Sequence, residues 1–258
     1  MATNHRTKCG QFSALESLEA RLLLDSASVL VGQGENVSLA FRDADGSRVT
    51  VKVTRGLADV EVLGDGPVNA PPVVSGKVTA TGTNLHLGKI TMTQADVTTL
   101  LDIGVRGGNH EATLGEISAV GLDIGTVKAA GVRLADGVGL QAKSVASLRL
   151  AGVTEAAVTV TDSIGQFIVG PLYHATITAD TGDRWQIKGP VHSTITVDTV
   201  DRLEFSREVD PSVIKVLVEA RIVKFSRDVT DSTVEIARLT GSPRFGGRIV
   251  DSDLWPES

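Results

Sequence analysis

Residues 184–197 read RWQIKGPVHSTITV, residues 202–216 read RLEFSREVDPSVIKV and residues 222–236 read IVKFSRDVTDSTVEI. Laid one over another, they return apolar side chains to the same points. Within each, Trp185-Gln186-Ile187 and Ile195-Thr196-Val197 alternate apolar and polar. That period of two belongs to strands. Short strands that recur after a fixed length of chain make a solenoid, because no single row can bury its own apolar face. Extended in both directions, the alignment gives four columns. The first is Leu150, Ile168, Ile187, Phe205, Phe225 and Phe245. The second is Val153, Leu172, Val191, Val209, Val229 and Ile249. The third is Val158, Ile177, Ile195, Ile214, Val234 and Leu254, and the fourth is Val160, Ala179, Val197, Val216 and Ile236. In the first column the steps are 18, 19, 18, 20 and 20 residues, and the others keep nearly the same rhythm. Rows stacked about 4.8 Å apart would close both the backbone hydrogen bonds and the core. Each inward Val, Ile or Phe would then contribute on the order of 1.5–3 kcal/mol of burial.

The corners agree with this reading. Ser193, Ser212, Ser232 and Ser252 recur just before the third column, where small polar residues suit a bend. Gly170-Pro171 and Gly189-Pro190 recur before the second. Upstream, residues 116–124 (EISAVGLDI) match residues 126–134 (TVKAAGVRL) at a step of 10, with Gly121 over Gly131. This half-row likeness carries the solenoid back to about residue 77. Within it, residues 91–103 (TMTQADVTTLLDI) leave an alternative open, one helical turn or two near the N-terminal end in place of strand.

Composition supports stacked strands and argues against several functions. Of 258 residues, 41% are apolar but only 3% aromatic, so Val, Ile, Leu and Ala dominate. Such residues suit a sheet core and are unlike the lining of an aromatic-rich ligand pocket. The single Cys excludes an intrachain disulfide framework and a Cys-based zinc cluster. A net charge of -6 speaks against a general nucleic-acid scaffold. No apolar run approaches the roughly 20 residues that span a bilayer.

Residues 29–63 alternate as strands: Val37, Leu39 and Phe41, then Val49, Val51 and Val53, then Val60 and Val62. Asp43-Ala44-Asp45-Gly46-Ser47 is the expected turn of a hairpin. Residues 64–76 (GDGPVNAPPVVSG) read as a linker. Before them, residues 1–28 begin with His5, Arg6 and Lys8 and place Leu15, Leu18 and Leu22 on one helical face. Glu16, Glu19 and Arg21 break the apolar run that a secretory signal needs.

The leader also resembles a known pattern. Phe12, Leu15, Glu16, Leu18, Glu19, Arg21, Leu22, Leu23, Leu24 and Asp25 are similar to the F-x-x-LE-x-LE-x-R-x-LL opening of large repetitive surface proteins of planctomycete bacteria. The string from Phe41 to Val51 resembles the F-x-DADGD-x-V-T-V hairpins of the same class. The resemblance implies export and association with the cell exterior through a targeting signal.

Function in a solenoid falls to the outward columns. On the first strand these are expected to be Arg149, Phe167, Gln186, Glu204, Lys224 and Arg244; on the third, Thr159, Thr178, Thr196, Lys215, Glu235 and Trp255. Glu204 over Lys224 and Lys215 over Glu235 suggest cross-strand ion pairs. Asp162, Asp180 and Asp198 recur one row apart. Stacked carboxylates could bind calcium or serve as an acid and base, but Arg184, Arg202 and Arg221 run beside Asp183 and Asp201 and would neutralise the column. Asp43 and Asp45 raise a second calcium reading, yet Ser47, Val49 and Thr54 stand where an EF-hand would need ligands. His174 and His192 are also one row apart but lack a third ligand, and His86 and His110 stand alone. Thr176-x-Thr178 and Thr194-x-Thr196 form an array too short for a flat binding face. At the C-terminus, Pro243, Gly246-Gly247, Asp251, Asp253 and Pro256 read as a blunt end that discourages edge-to-edge assembly.

The expectation is therefore an all-β chain. A leader (1–28) and a β-hairpin region with its linker (29–76) precede a parallel β-helix of 18–20-residue rows (77–258). No residue is assigned a catalytic, cofactor-binding or metal-ligating role, and no cofactor is implied. The expected function is that of a non-catalytic structural or adhesive protein of the cell surface or extracellular space. A cell-surface polysaccharide or protein is its expected partner, with no nucleic acid, no transmembrane segment and a monomeric state. The alternatives are a polysaccharide lyase-like enzyme on a parallel β-helix and a bactofilin-like self-assembling scaffold.

Overall fold

A computed structural model describes residues 26–32 and 38–254. The leader up to residue 25, with Val37 and Trp255, lies outside the described residues. Every regular element among the described residues is a strand. The chain opens with β1 (Ser26–Gly32), β2 (Ser38–Arg42), β3 (Arg48–Thr54) and β4 (Leu57–Leu63). It continues with β5 (Lys77–Thr79), β6 (His86–Gln94), β7 (Leu100–Arg106), β8 (Ala112–Val160) and β9 (Ser163–Val169). The later coils hold β10 (Leu172–Ile187), β11 (Val191–Phe205), β12 (Val213–Phe225), β13 (Val229–Thr230) and β14 (Thr233–Ile236). They end in β15 (Arg244–Phe245), β16 (Ile249–Val250) and β17 (Asp253–Leu254). No helix of the described residues is long and apolar enough to cross a membrane.

From β8 onward all pairing is parallel, and the coils stack as a β-solenoid. The second column is continuous: Val153 pairs with Leu172, Leu172 with Val191, then Val209, Val229 and Ile249 follow. The third column, from Val158 to Leu254, is equally unbroken. In the first column Ile187, Phe205, Phe225 and Phe245 superpose. The rings of Phe205, Phe225 and Phe245 lie parallel, with centroids 4.9 and 5.5 Å apart.

One position of that column is corrected. Val169, not Ile168, lies between Leu150 and Ile187. Phe167 therefore faces inward and is fully buried, while Ile168 takes the outward place beside Arg149 and Gln186. Phe167-Ile168-Val169 is uniformly apolar, so its phase is not visible, and a slip of one residue exchanges the two faces. A further inward column then appears: Leu148, Phe167, Trp185, Leu203 and Val223. Trp185 meets Phe167 edge-on at 5.5 Å and donates its indole N–H to the Ile164 carbonyl at 3.0 Å. Gly182 makes room for the indole, since a Cβ there would lie 2.4 Å from its nitrogen.

The corner serines form a buried ladder. Ser193 N–H donates to Ser212 Oγ (3.2 Å), Ser212 N–H to Ser232 Oγ (3.1 Å) and Ser232 N–H to Ser252 Oγ (3.2 Å). The Ser212 hydroxyl passes its own proton to the Val191 carbonyl at 2.8 Å. Each coil thus satisfies a corner N–H of the coil before it, where the strand ladder is interrupted.

The N-terminal end is built differently. β2 and β3 form the expected hairpin, pairing Phe41 with Val49 and Leu39 with Val51. β3 then pairs antiparallel with β7, and β4 pairs antiparallel with both β1 and β6. β6 and β7 run parallel to β8. The hairpin region and the coils therefore share one 15-stranded sheet. The alternative of a helical turn within residues 91–103 is not realised: β6 and β7 occupy most of the segment, joined by a tight turn. There Asp96 Oδ1 accepts the Thr98 N–H at 2.7 Å, and the Thr99 hydroxyl donates to the Arg55 carbonyl at 2.6 Å. These side chains cap a turn between strands, as Asp and Thr do at a helix start.

Two substitutions test the stack. Phe225→Ala should lower stability by about 3–5 kcal/mol in urea titrations. Ile249→Ala, at a side chain 42% exposed, should cost less than about 1 kcal/mol; equal losses would contradict the ring stack. Ser212→Ala strands the Ser193 N–H and should cost about 1–3 kcal/mol, measured in the same way.

Candidate functional site

On the coils, the outward charges face one another. Lys143 lies between Asp123 (3.5 Å) and Asp162 (3.8 Å). Glu204 sits between Arg184 and Arg202, both at 3.9 Å, and accepts from Gln186 at 2.8 Å. Lys215 pairs with Glu235 at 2.8 Å, Arg238 with Glu219 at 2.6 Å and Arg248 with Asp228 at 3.5 Å. Arg221 grips Asp201 with two donors. The guanidinium of Arg221 holds the Asp201 carboxyl below its ordinary range, the Arg248 N–H does the same for Asp228, and the Ser144 hydroxyl for Asp123. The Lys215–Glu235 pair is as the sequence suggested. Glu204 is in register with Lys224 but its ion partners are the two arginines. Arg221 stands over Asp201, and Ile222 takes the position above Arg202.

The Asp162, Asp180 and Asp198 column offers no ligand cage. Among the described residues no group of three or more His, Cys, Asp or Glu is arranged to hold a metal ion. The two histidines do not superpose. His192 is in register with Tyr173 and stacks on its ring at 5.3 Å, because the register shifts at Tyr173 and His174 adopts a left-handed backbone (φ 50°).

The hairpin tip holds a cleft of about 560 Å³ lined by Asp43, Asp45, Asp65, His86, Glu111 and Asp136. Its two turn carboxylates have different roles. Asp45 accepts from the Ser47 N–H (2.8 Å) and the Asn109 N–H (2.7 Å), while the Ser47 hydroxyl donates to the Gly107 carbonyl (2.9 Å). These bonds clamp the tip to the loop after β7; a hydrogen bond from the Asp43 side chain, and then the Asn109 and Ser47 N–H groups, keep the Asp45 carboxyl well below its usual range. Asp43 has one carboxyl oxygen buried without a hydrogen-bond partner among the described residues. Burial, with the Asp45 carboxylate beside it, pushes the Asp43 carboxyl up to about 6. The two carboxyls are thus hydrogen-bonded to each other, the one raised by burial and the other held by Asp43 and by backbone amides.

A different surface escaped the sequence reading. The outward positions of β5, β2, β3 and β7 form a grid fixed by strand register. One line runs Arg42, Arg48, Arg106. Two residues along each strand lies a floor of Thr79, Ala40, Thr50 and Gly104. Two residues further lie Lys77, Ser38, Lys52 and Asp102, continued by Lys128. Two adjoining cavities of about 330 and 460 Å³ open here and share Arg48 and Lys77. Asp102 is 3.9 Å from Lys128. Arg48, Lys52, Lys77 and Arg106 have no acidic partner among the described residues.

No family model, no curated protein and no solved structure matches the chain.

The Asp43 carboxyl makes a pH test. Its folded-state pKa lies above the ordinary 3.8 of an aspartate, so its contribution to stability is full below pH 3.8 and is lost as pH rises through about 6. Asp45 acts with the opposite sign, and its largest support, the hydrogen bond from Asp43, is one that the amide of the Asp43→Asn variant can also donate. Asp43→Asn, which stays neutral, should match wild type in melting temperature near pH 4 and exceed it above pH 7. A constant difference across that range would contradict the assignment.

Proposed function

We propose that this chain is a non-catalytic structural or adhesive module of the cell surface, with the β-solenoid as a stiff body. The observation that carries this reading is the pairing of outer charges from coil to coil, at Lys143, Glu204, Lys215, Arg221, Arg238 and Arg248. Such exposed pairs add little stability, but they leave no cluster of strained, unpartnered groups of the kind that marks catalytic centres. The bends between β9 and β14 are tight and carry no long insertion, and the cleft of about 750 Å³ over Tyr173, His192, Ser212 and Thr233 lies wide open to solvent. The resemblance of residues 12–25 to surface-protein leaders supports an exterior location.

Two measurements test this. Protease treatment of intact source cells should remove the chain, whereas protection until lysis would overturn the surface assignment. Incubation with acidic polysaccharides, with and without calcium, should yield no shortened product. Cleavage abolished by Asp180→Ala would make the chain an enzyme and overturn the reading.

A further inference from the structure

We infer that the grid of arginines and lysines across β5, β2, β3 and β7 is a docking groove for an acidic polysaccharide. The inference rests on the adhesive reading above and names its ligand.

The geometry is a line of three arginines and, across a floor, a second line in which Lys77 and Lys52 flank Ser38 and Asp102 stands at the end. Arg42, Arg48 and Arg106 occupy directly opposed positions on three neighbouring strands. Like charges directly opposite across strands repel and destabilise the sheet. Lys89, Arg133, Lys143 and Arg221 each meet an acid; Arg48, Lys52, Lys77 and Arg106, gathered on one face, have none among the described residues. In a chain with a net charge of -6, such a concentration is a local conflict that a bound polyanion relieves. The two lines lie four residues apart along β3, about 13–14 Å at strand rise. The arginine line crosses three strands and the lysine line four, about 9–10 and 14 Å at the usual spacing. The site is therefore a face about as long as it is wide, of a size to seat a short segment of a polymer.

Its chemistry selects among polyanions. Arginine forks take carboxylate or sulfate groups through paired hydrogen bonds, and the lysines add point charges on the opposite rim. The hydroxyls of Thr50 and Thr79 on the floor, and of Ser38 in the lysine line, can both donate and accept, as sugar hydroxyls require. Gly104 keeps the floor low on β7, where a Cβ would meet nothing within 4 Å; Ala40, 2% exposed, lies beneath its neighbours. Single-stranded nucleic acid is held largely by stacking on aromatic side chains, and no aromatic ring lines either cavity except Phe41, which is 2% exposed and belongs to the core.

The test is binding of the full chain to fluorescent polygalacturonate oligomers and to heparin, with duplex DNA and inorganic phosphate as comparison probes. Polygalacturonate or heparin should bind saturably and weaken as salt rises. The double variant Arg48→Gln/Arg106→Gln should lose at least about tenfold in affinity while melting no lower than wild type, because it removes a repulsion. Gly104→Leu keeps every charge but fills the floor, and should weaken binding comparably. Lys224→Gln, on the wall of the coils, should leave it unchanged. Equal losses for Lys224→Gln and the arginine pair would overturn the groove. So would tighter binding of DNA than of either polysaccharide, or a phosphate affinity equal to the polymer's. Binding accompanied by shortened product would instead overturn the non-catalytic reading and leave the groove standing.

Discussion

Everything in this molecule depends on one constraint: an inward side chain must sit on its counterpart one coil away. A lone coil of this length cannot bury Phe225 or Ile195. Stacked at the strand spacing, each covers the next, and the parallel ladder satisfies the backbone at the same time. The serine ladder extends the same rule to a polar corner, where the Oγ of one coil accepts the N–H of another. The constraint tolerates rows of 18 to 20 residues because the bends, not the columns, absorb the difference.

The same constraint divides the surface. Along the coils, outward residues also superpose, so a carboxylate and a guanidinium one coil apart can pair, as Asp201 and Arg221 do. Walls built this way are electrically quiet. At the N-terminal end the sheet turns antiparallel, and the residues brought together come from strands far apart in the chain. There the pairing rule lapses: Arg48 meets Arg106, and the Asp43 carboxyl is raised beside Asp45. The places where local electrostatic consistency fails are where an interaction with something else is to be sought.

This division also explains what the sequence disclosed. The second and third columns were legible in full because their apolar residues are flanked by polar ones, which fixes the phase. The first column slipped at Ile168, where three apolar residues in a row hide it. The His174 and His192 alignment failed because a register shift at Tyr173 leaves no trace in composition. The hairpin turn at Asp43–Ser47 was plain from its residue types, but the raised carboxyl of Asp43 depends on packing. The basic grid was invisible for a topological reason: Arg42 and Arg48 are near in sequence, whereas Lys77 and Arg106 reach them only through pairings of β5 with β2 and of β7 with β3. No period in the chain announces such a surface.

The most direct measurement of coil-on-coil register is cross-linking between outward positions of adjacent coils. In a Cys9→Ser background, Thr176→Cys with Thr194→Cys places two thiols on directly paired residues of β10 and β11, within the Cα separation a disulfide requires. Mild oxidation should close this bridge rapidly and without loss of folded structure. Thr176→Cys with Ile195→Cys sets one thiol outward and the other inward and should remain reduced. A bridge in the second pair and none in the first would contradict the stacking on which the whole account stands.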